Sequence, residues 1–140
     1  MDKKKPKVQN AIKLEKFYVP RVNFNFDAIL DENALENLSI GIEFGIGFDE
    51  SAKKMYSTNF EIDIKSDDDD FTLNLNAIAI FKTTEEIDDK FLQSNFVKIN
   101  SPAIAFPFIR SFINTLTTNS GIPPLVLPSF NFSSEEKGKK

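Results

Sequence analysis

Residues 100–132 read NSPAIAFPFIRSFINTLTTNSGIPPLVLPSFNF, a short amphipathic helix bracketed by prolines and followed by an apolar run of extended character. Ser101 with Pro102 has the form of an N-cap and first helical residue: a hydroxyl accepts from an unpaired backbone N–H, and proline has none to leave unpaired. Pro107 removes a further donor and crowds the carbonyl four residues back, which separates an entry turn from a main helix over about 107–118. Within that helix Phe108, Ile109, Phe112, Ile113 and Leu116 recur at helical spacing. Asn119, Ser120 and Gly121 end it, glycine being suited to a left-handed cap, and Pro123 with Pro124 prevents its resumption. The run beyond is too apolar for an ordinary tail.

Upstream the period changes from helical to two. Strand two, LSIGIEFGIGFD from Leu38 to Asp49, points Leu38, Ile40, Ile42, Phe44, Ile46 and Phe48 one way and Ser39, Gly41, Glu43, Gly45 and Gly47 the other. Its glycine face must be either open or closely approached by another backbone. Strand three, about Tyr56 to Lys65, and strand four, about Phe71 to Lys82, flank SDDDD at residues 66–70, a hairpin-length connection. A calcium loop needs ligands spaced around a glycine-containing turn, so four consecutive aspartates here read as a solvated tip. Phe71, Leu73, Leu75 and Ala77 alternate with Thr72, Asn74 and Asn76, the pattern of a half-buried antiparallel strand. Strand one spans about Ile12 to Phe26, with a kink or bulge expected at Pro20. The segment TEEIDDKF invites a short helix capped by Thr84. The expected fold is α+β: a four-stranded antiparallel β-meander with one main C-terminal amphipathic helix. One helix cannot cover a whole sheet face, so apolar sheet surface is left for another subunit or a ligand.

Composition removes most catalytic chemistry. With no His and no Cys, N/S zinc sites, cysteine nucleophiles, histidine bases and disulfides are unavailable. Neither a glycine-rich phosphate loop nor a paired-acid motif stands out, so no cofactor and no metal is implied; an enzyme would have to be built from carboxylates in a deep polar pocket. Without a run near ~20 apolar residues or a leader-like apolar segment, neither a membrane span nor membrane insertion is expected, and the cytoplasm is the expected compartment. Residues 1–16 carry a net charge of +4, residues 135–140 add +1, and the remaining body is −9. Basic disordered tails over 1–9 and 133–140 therefore flank a single domain over 10–132, and the acidic body argues against nucleic acid as a partner. Fifteen Phe with no Trp and two Tyr read first as a Phe-rich core, the remainder being available for oligomer contacts or a binding groove.

The 100–132 segment resembles the signature of the SecB family of protein-export chaperones, carried here by Pro102, Phe106, Pro107, Phe108, Arg110, Gly121, Pro123, Leu127, Asn131 and Phe132. More weakly, LEKFYVPRVNFNFD at residues 14–27 is similar to the family's first strand, and the resemblance covers about 120 residues in all. It implies an ATP-independent holdase that binds unfolded or extended polypeptide clients in apolar grooves of a homotetramer, a dimer of dimers with helices packed between sheets. By position it implies client contacts at Tyr18, Ile40, Ile42, Phe44, Ile122, Leu125, Val126 and Leu127, and oligomer contacts at Phe108, Ile109, Phe112, Ile113 and Leu116. Where the export members carry acidic and apolar residues for docking the SecA motor, this chain has Arg21, Asn25, Thr72 and Asn74, which argues against SecA docking. After its Asn-Phe the family continues into a second helix, whereas residues 133–140 are SSEEKGKK, so the groove is expected to be shorter or more open on one side. These departures favour the solitary or toxin–antitoxin-associated kind, which protects an antitoxin, over a dedicated export factor. From another class stands an oligomeric scaffold or binder for one dedicated partner or hydrophobic ligand.

Overall fold

The computed structural model describes residues 11–27 and 32–133, so most of the two expected tails lies outside the described residues. Four antiparallel strands form one sheet: β1 (Ile12–Phe26), β2 (Leu38–Gly47), β3 (Met55–Ser66) and β4 (Phe71–Thr83). Their order is β1-β4-β3-β2. The expected meander is thus realised by β2, β3 and β4, while β1 pairs with β4 rather than with its chain neighbour, a Greek-key arrangement. This places β3 and β4 in the centre, where both edges are paired, and leaves β1 and β2 as the two edges.

Burial follows the alternation. On β3 Tyr56, Thr58, Phe60, Ile62 and Ile64 are buried, and on β4 Phe71, Leu73, Leu75, Ala77, Ala79 and Phe81. All face one side, which carries the core. Strand β1 keeps its apolar side chains on that side only because it changes phase twice. One extra residue lies between Leu14 and Lys16 and another between Tyr18 and Arg21, the second around Pro20 as expected. The apolar positions accordingly move from Ile12 and Leu14 to Phe17 and Val19, then to Phe24 and Phe26. Tyr18, opposite Ile78, falls on the outer face, where the Lys16 ammonium sits 5.2 Å from its ring centroid.

The hairpin tip between β3 and β4 is built from its own acids: Asp68 accepts from Ser66 Oγ and from the Asp70 amide, and Asp69 takes a left-handed φ of 62°. Hydrogen bonds from the Asp70 amide and from Ser66 lower the Asp68 pKa, and repulsion from Asp68 raises that of Asp70. After β4 the expected Thr84-capped helix is corrected. Helix α1 (Asp89–Leu92) starts later, with Asp88 accepting from the Phe91 amide at 2.8 Å. The Thr84 hydroxyl instead accepts from the Ala11 amide and fastens the start of β1.

Helix α2 (Ser101–Asn119) is continuous through Pro107 and is entered from a wider turn at Phe96–Asn100. The expected break at Pro107 is absent because Pro107 and Ala103, whose carbonyl loses its partner, both lie on the solvent side. Nor does Ser101 act as an N-cap. It is buried, donates to the Phe96 carbonyl at 2.8 Å and pairs with the Tyr56 hydroxyl, tying the helix entry to β3. Gly121 closes the helix at φ 90°, as its sequence position predicts.

Candidate functional site

Helix α2 lies over β1 and β4, with the Phe108 ring tilted against that of Phe17 at 5.5 Å between centroids, and so covers only half of the apolar sheet face. The other half, over β3 and β2, is covered by residues 122–131, which run as a strap outside any β-ladder, and by Phe132 at its end. Backbone groups of such a strap need partners from elsewhere, and α2 supplies them. Thr117, fully buried, donates to the Ile113 and Asn114 carbonyls and accepts from the Leu125 amide at 2.9 Å. Arg110 Nε donates to the Leu127 carbonyl at 2.9 Å. At the far end Phe132 is buried among aromatics, with ring centroids 5.5 Å from Phe44, 5.6 Å from Phe106 and 4.8 Å from Phe130.

Strap and edge strand do not close on each other. Between them lies an open cleft of about 370 Å³ lined by Ile40, Ile42, Phe106, Leu127, Pro128 and Phe130. Not one of these side chains is charged or can hydrogen-bond, so the cleft offers burial and shape alone. Ile40 is 39% exposed although it faces the core side of the sheet, because β2 is an edge and α2 does not reach it.

The expected client residues divide. Ile40, Ile42 and Leu127 meet at the cleft, and Phe44 lies beside it against Phe60 and Phe132. Ile122, Leu125 and Leu127 are almost fully buried in the subunit, which corrects their reading as open groove surface: all three point inward, Leu125 and Leu127 on either side of Val126, which at 63% exposed points out. Leu127, though buried, also forms part of the cleft wall. Tyr18 is exposed, but on the opposite face of the sheet.

The expected oligomer residues divide as well. Ile109 and Ile113 are buried in the core of the subunit, a correction that follows from their lying on the helix face with Ala105 and Thr117. Phe108 is 48% exposed, and Phe112 and Leu116 are half-buried. Ile104, 39% exposed, extends this stripe at intervals of four residues and was missed in the sequence reading because it precedes Pro107. Phe106, Pro128 and Phe130 were missed in the cleft. The alternation of Phe130 with Phe132 was the available signal, but it does not say which of the two turns outward.

Arg21, Asn25, Thr72 and Asn74 share the outer sheet face and place no acid at those positions; Glu15 of β1 stands further along, 3.9 Å from Lys82 of β4. Further acids are on the other half. Glu61 and Asp63 of β3 accept from the Asn74 amide, and Glu61 also accepts from Asn76. Gly41 and Gly45 of β2 leave this face open, a Cβ at Gly45 meeting nothing within 4 Å.

The family model for SecB, described as preprotein translocase subunit SecB, matches residues 5–135. An uncharacterized protein of Methanocaldococcus jannaschii is 29% identical over 126 residues, 86% of this chain and 79% of that protein. The protein-export protein SecB of Acinetobacter baumannii is 28% identical over 100 residues, 66% of this chain and 64% of that protein. For the protein-export protein SecB of Anaplasma marginale the match, 25% identical, covers 61% of this chain and 50% of that protein. The chain thus spans from about half to two thirds of the length of these two export proteins. Among solved structures, the Mycobacterium tuberculosis SecB-like chaperone in complex with a ChAD peptide from the HigA1 antitoxin superposes with a TM-score of 0.71 at 14% identity, covering 85% of this chain and 90% of that one. A protein of unknown function from Streptococcus agalactiae superposes with a TM-score of 0.51 at 13% identity, covering 86% of this chain and 99% of that one.

Proposed function

Because the chain belongs to the SecB family, we propose that it is an ATP-independent molecular chaperone that holds unfolded or extended polypeptide segments in the cleft between β2 and the strap. The observation that carries this reading is the cleft itself: an open, uncharged trough of about 370 Å³ that one subunit leaves unfilled. Flat apolar walls bind without reading sequence. A client side chain that buries ~100 Å² gains about 2.5 kcal/mol before ordering costs, so several such burials along one chain make a serviceable hold. No described helix is long and apolar enough to cross a membrane, and we place the chaperone in the cytoplasm.

The working unit we propose is a homotetramer, a dimer of dimers, with the Ile104, Phe108, Phe112 and Leu116 stripe of α2 contributing to contacts between subunits. Of the family's two settings, antitoxin protection is favoured over export. The structural neighbour is a chaperone in complex with an antitoxin peptide, and the outer face of β1 and β4 offers Arg21, Asn25, Thr72 and Asn74 where a SecA-docking surface would need acids.

Suppression of aggregation of three unrelated unfolded test proteins at near-stoichiometric ratios tests the function. Ile40→Asp should weaken suppression severalfold with an unchanged circular dichroism spectrum, since Ile40 is already 39% exposed. Suppression of none of the three by the native protein would reject the reading. Suppression of a single one would mark a dedicated binder.

A further inference from the structure

Charge on the outer sheet face is sorted by strand order. On β1 and β4 that face carries Lys13, Lys16, Arg21 and Lys82, with Glu15, 3.9 Å from Lys82, as the one acid among the described residues of this half. On β3 and β2 it carries Glu43, Glu61 and Asp63 against Lys65. Lys16 and Glu61 stand two strands apart and four residues apart along β4, roughly 16 Å, about twice the Debye length at physiological salt. The two halves therefore act separately on anything that approaches. Further cations gather at the Lys13 end. Lys13 faces Lys82 directly, a like-charge pairing that an isolated sheet does not favour and an anionic surface relieves. The turn before β3 adds Lys53 and Lys54 to the open hollow that Lys82 lines, together with Glu50 and Glu86. The bond from the Ala11 amide to Thr84 holds the start of β1 at this corner. Lys3, Lys4, Lys5 and Lys7, four to eight residues earlier, lie within about 13–26 Å of Ala11 at full extension.

We infer that the basic half of the outer face, with the lysine-rich segment 1–10 beside it, docks the protein on an anionic lipid surface. Attachment of this kind needs clustered cations on an open face and no apolar insertion. Lys13, Lys16, Arg21 and Lys82 are all exposed, and Tyr18 among them has the amphipathic ring suited to the headgroup level. Nucleic acid fits this face less well. Single strands held on a sheet stack their bases on several exposed rings, whereas Tyr18 is the one aromatic side chain on the outer face of the four described strands, and the Lys16 ammonium covers one side of it. Docking leaves the client cleft free, because the cleft is on the opposite face of the sheet and beside β2, three strand spacings or about 14 Å across from β1. Helices packed between sheets, as in the tetramer proposed above, also leave the outer faces accessible. The inference is independent of the client-holding function: it concerns where the protein sits.

Flotation of the full chain with vesicles of phosphatidylcholine, alone or with about 30% phosphatidylglycerol, tests the docking. The anionic vesicles should bind the protein at least about tenfold more strongly than the neutral ones, and about 0.5 M salt should release it. At roughly fivefold per lysine, Lys13→Gln combined with Lys16→Gln should weaken attachment by about tenfold or more. Both side chains are exposed, so circular dichroism and suppression of aggregation should not change. Lys65→Gln removes the same charge from the acidic half of the face and should alter attachment less than about twofold. Absence of flotation, or equal flotation with neutral and anionic vesicles, overturns the inference and leaves the chaperone reading standing. Undiminished attachment of the Lys13 and Lys16 variant, or an equal loss per lysine with Lys65→Gln, overturns the role of the basic half. Displacement from vesicles by a saturating unfolded client places lipid in the cleft and overturns the assigned face. Single-stranded RNA that binds more tightly than the vesicles and prevents flotation makes nucleic acid the occupant and overturns the inference as well.

Discussion

Thr117→Val isolates the joint on which the strap depends. Valine matches threonine in shape and in its restricted χ1, so core packing and helix propensity change little. What is lost is the acceptor for the Leu125 amide, 2.9 Å away, at a residue only 8% exposed and in a segment with no ladder to replace it. A buried N–H left unpaired costs about 1–3 kcal/mol. The Ile113 and Asn114 carbonyls that accept from Thr117 keep their places in the helix and contribute little to the loss. At the midpoint, ~2 kcal/mol corresponds to roughly a thirtyfold change in equilibrium, concentrated on the strap if it opens as a unit. Chemical denaturation and exchange at the Leu125 amide read the two quantities, and Thr117→Ser, which keeps the acceptor, is the control. If Thr117→Val holds stability within about 0.5 kcal/mol of the native protein with Leu125 equally protected, Thr117 does not anchor the strap and the cleft wall is held by other means.

Burial pushes the Tyr56 hydroxyl up to about 12, with the bond from Ser101 opposing. Between its ordinary value near 10 and that figure the unfolded chain binds fewer protons than the folded one, so stability should fall as pH rises through this window and be unaffected by Tyr56 below it; Tyr56→Phe should remove the slope in alkaline denaturation. Ile109→Ala, in the core, should cost about 2–5 kcal/mol in urea unfolding, whereas Phe108→Ser, half exposed, should change the fold of the subunit little and instead lower the oligomer mass seen by native mass spectrometry. A tetramer that survives Phe108→Ser intact would take the α2 stripe out of the interface. Gly121→Ala should cost about 1 kcal/mol through its φ of 90° alone, since a Cβ there meets nothing; an unchanged melting curve would mean the strap entry relaxes freely.

Local chemistry was legible in the chain. Strict alternation located β2, β3 and β4 to within a residue or two, Pro20 marked one bulge of β1, and Gly121 followed by Pro123 marked the helix end and the turn into the strap. These features depend on neighbours in sequence, and period and proline are visible there. The family resemblance also directed attention to Arg110 and Phe132, whose roles emerged as the bond to Leu127 and the aromatic anchor.

Three matters were decided only by long-range packing. Pairing of β1 with β4 made β2 an edge, and that alone exposes Ile40 while Ile62, of the same chemistry on the paired strand β3, is sealed. Which strap side chains turn inward was set by the anchors at Thr117, Arg110 and Phe132, so Leu125 joined the core, Val126 the surface and Phe130 the cleft. Continuity of α2 through Pro107 depended on that residue facing solvent, and the diversion of Ser101 from capping depended on Tyr56 arriving from β3. Sequence specifies the period of each element because sterics and hydrogen bonding act along the chain. The exposure of any one face waits on what else comes to lie against it, and for a chaperone that residual exposure is the functional property.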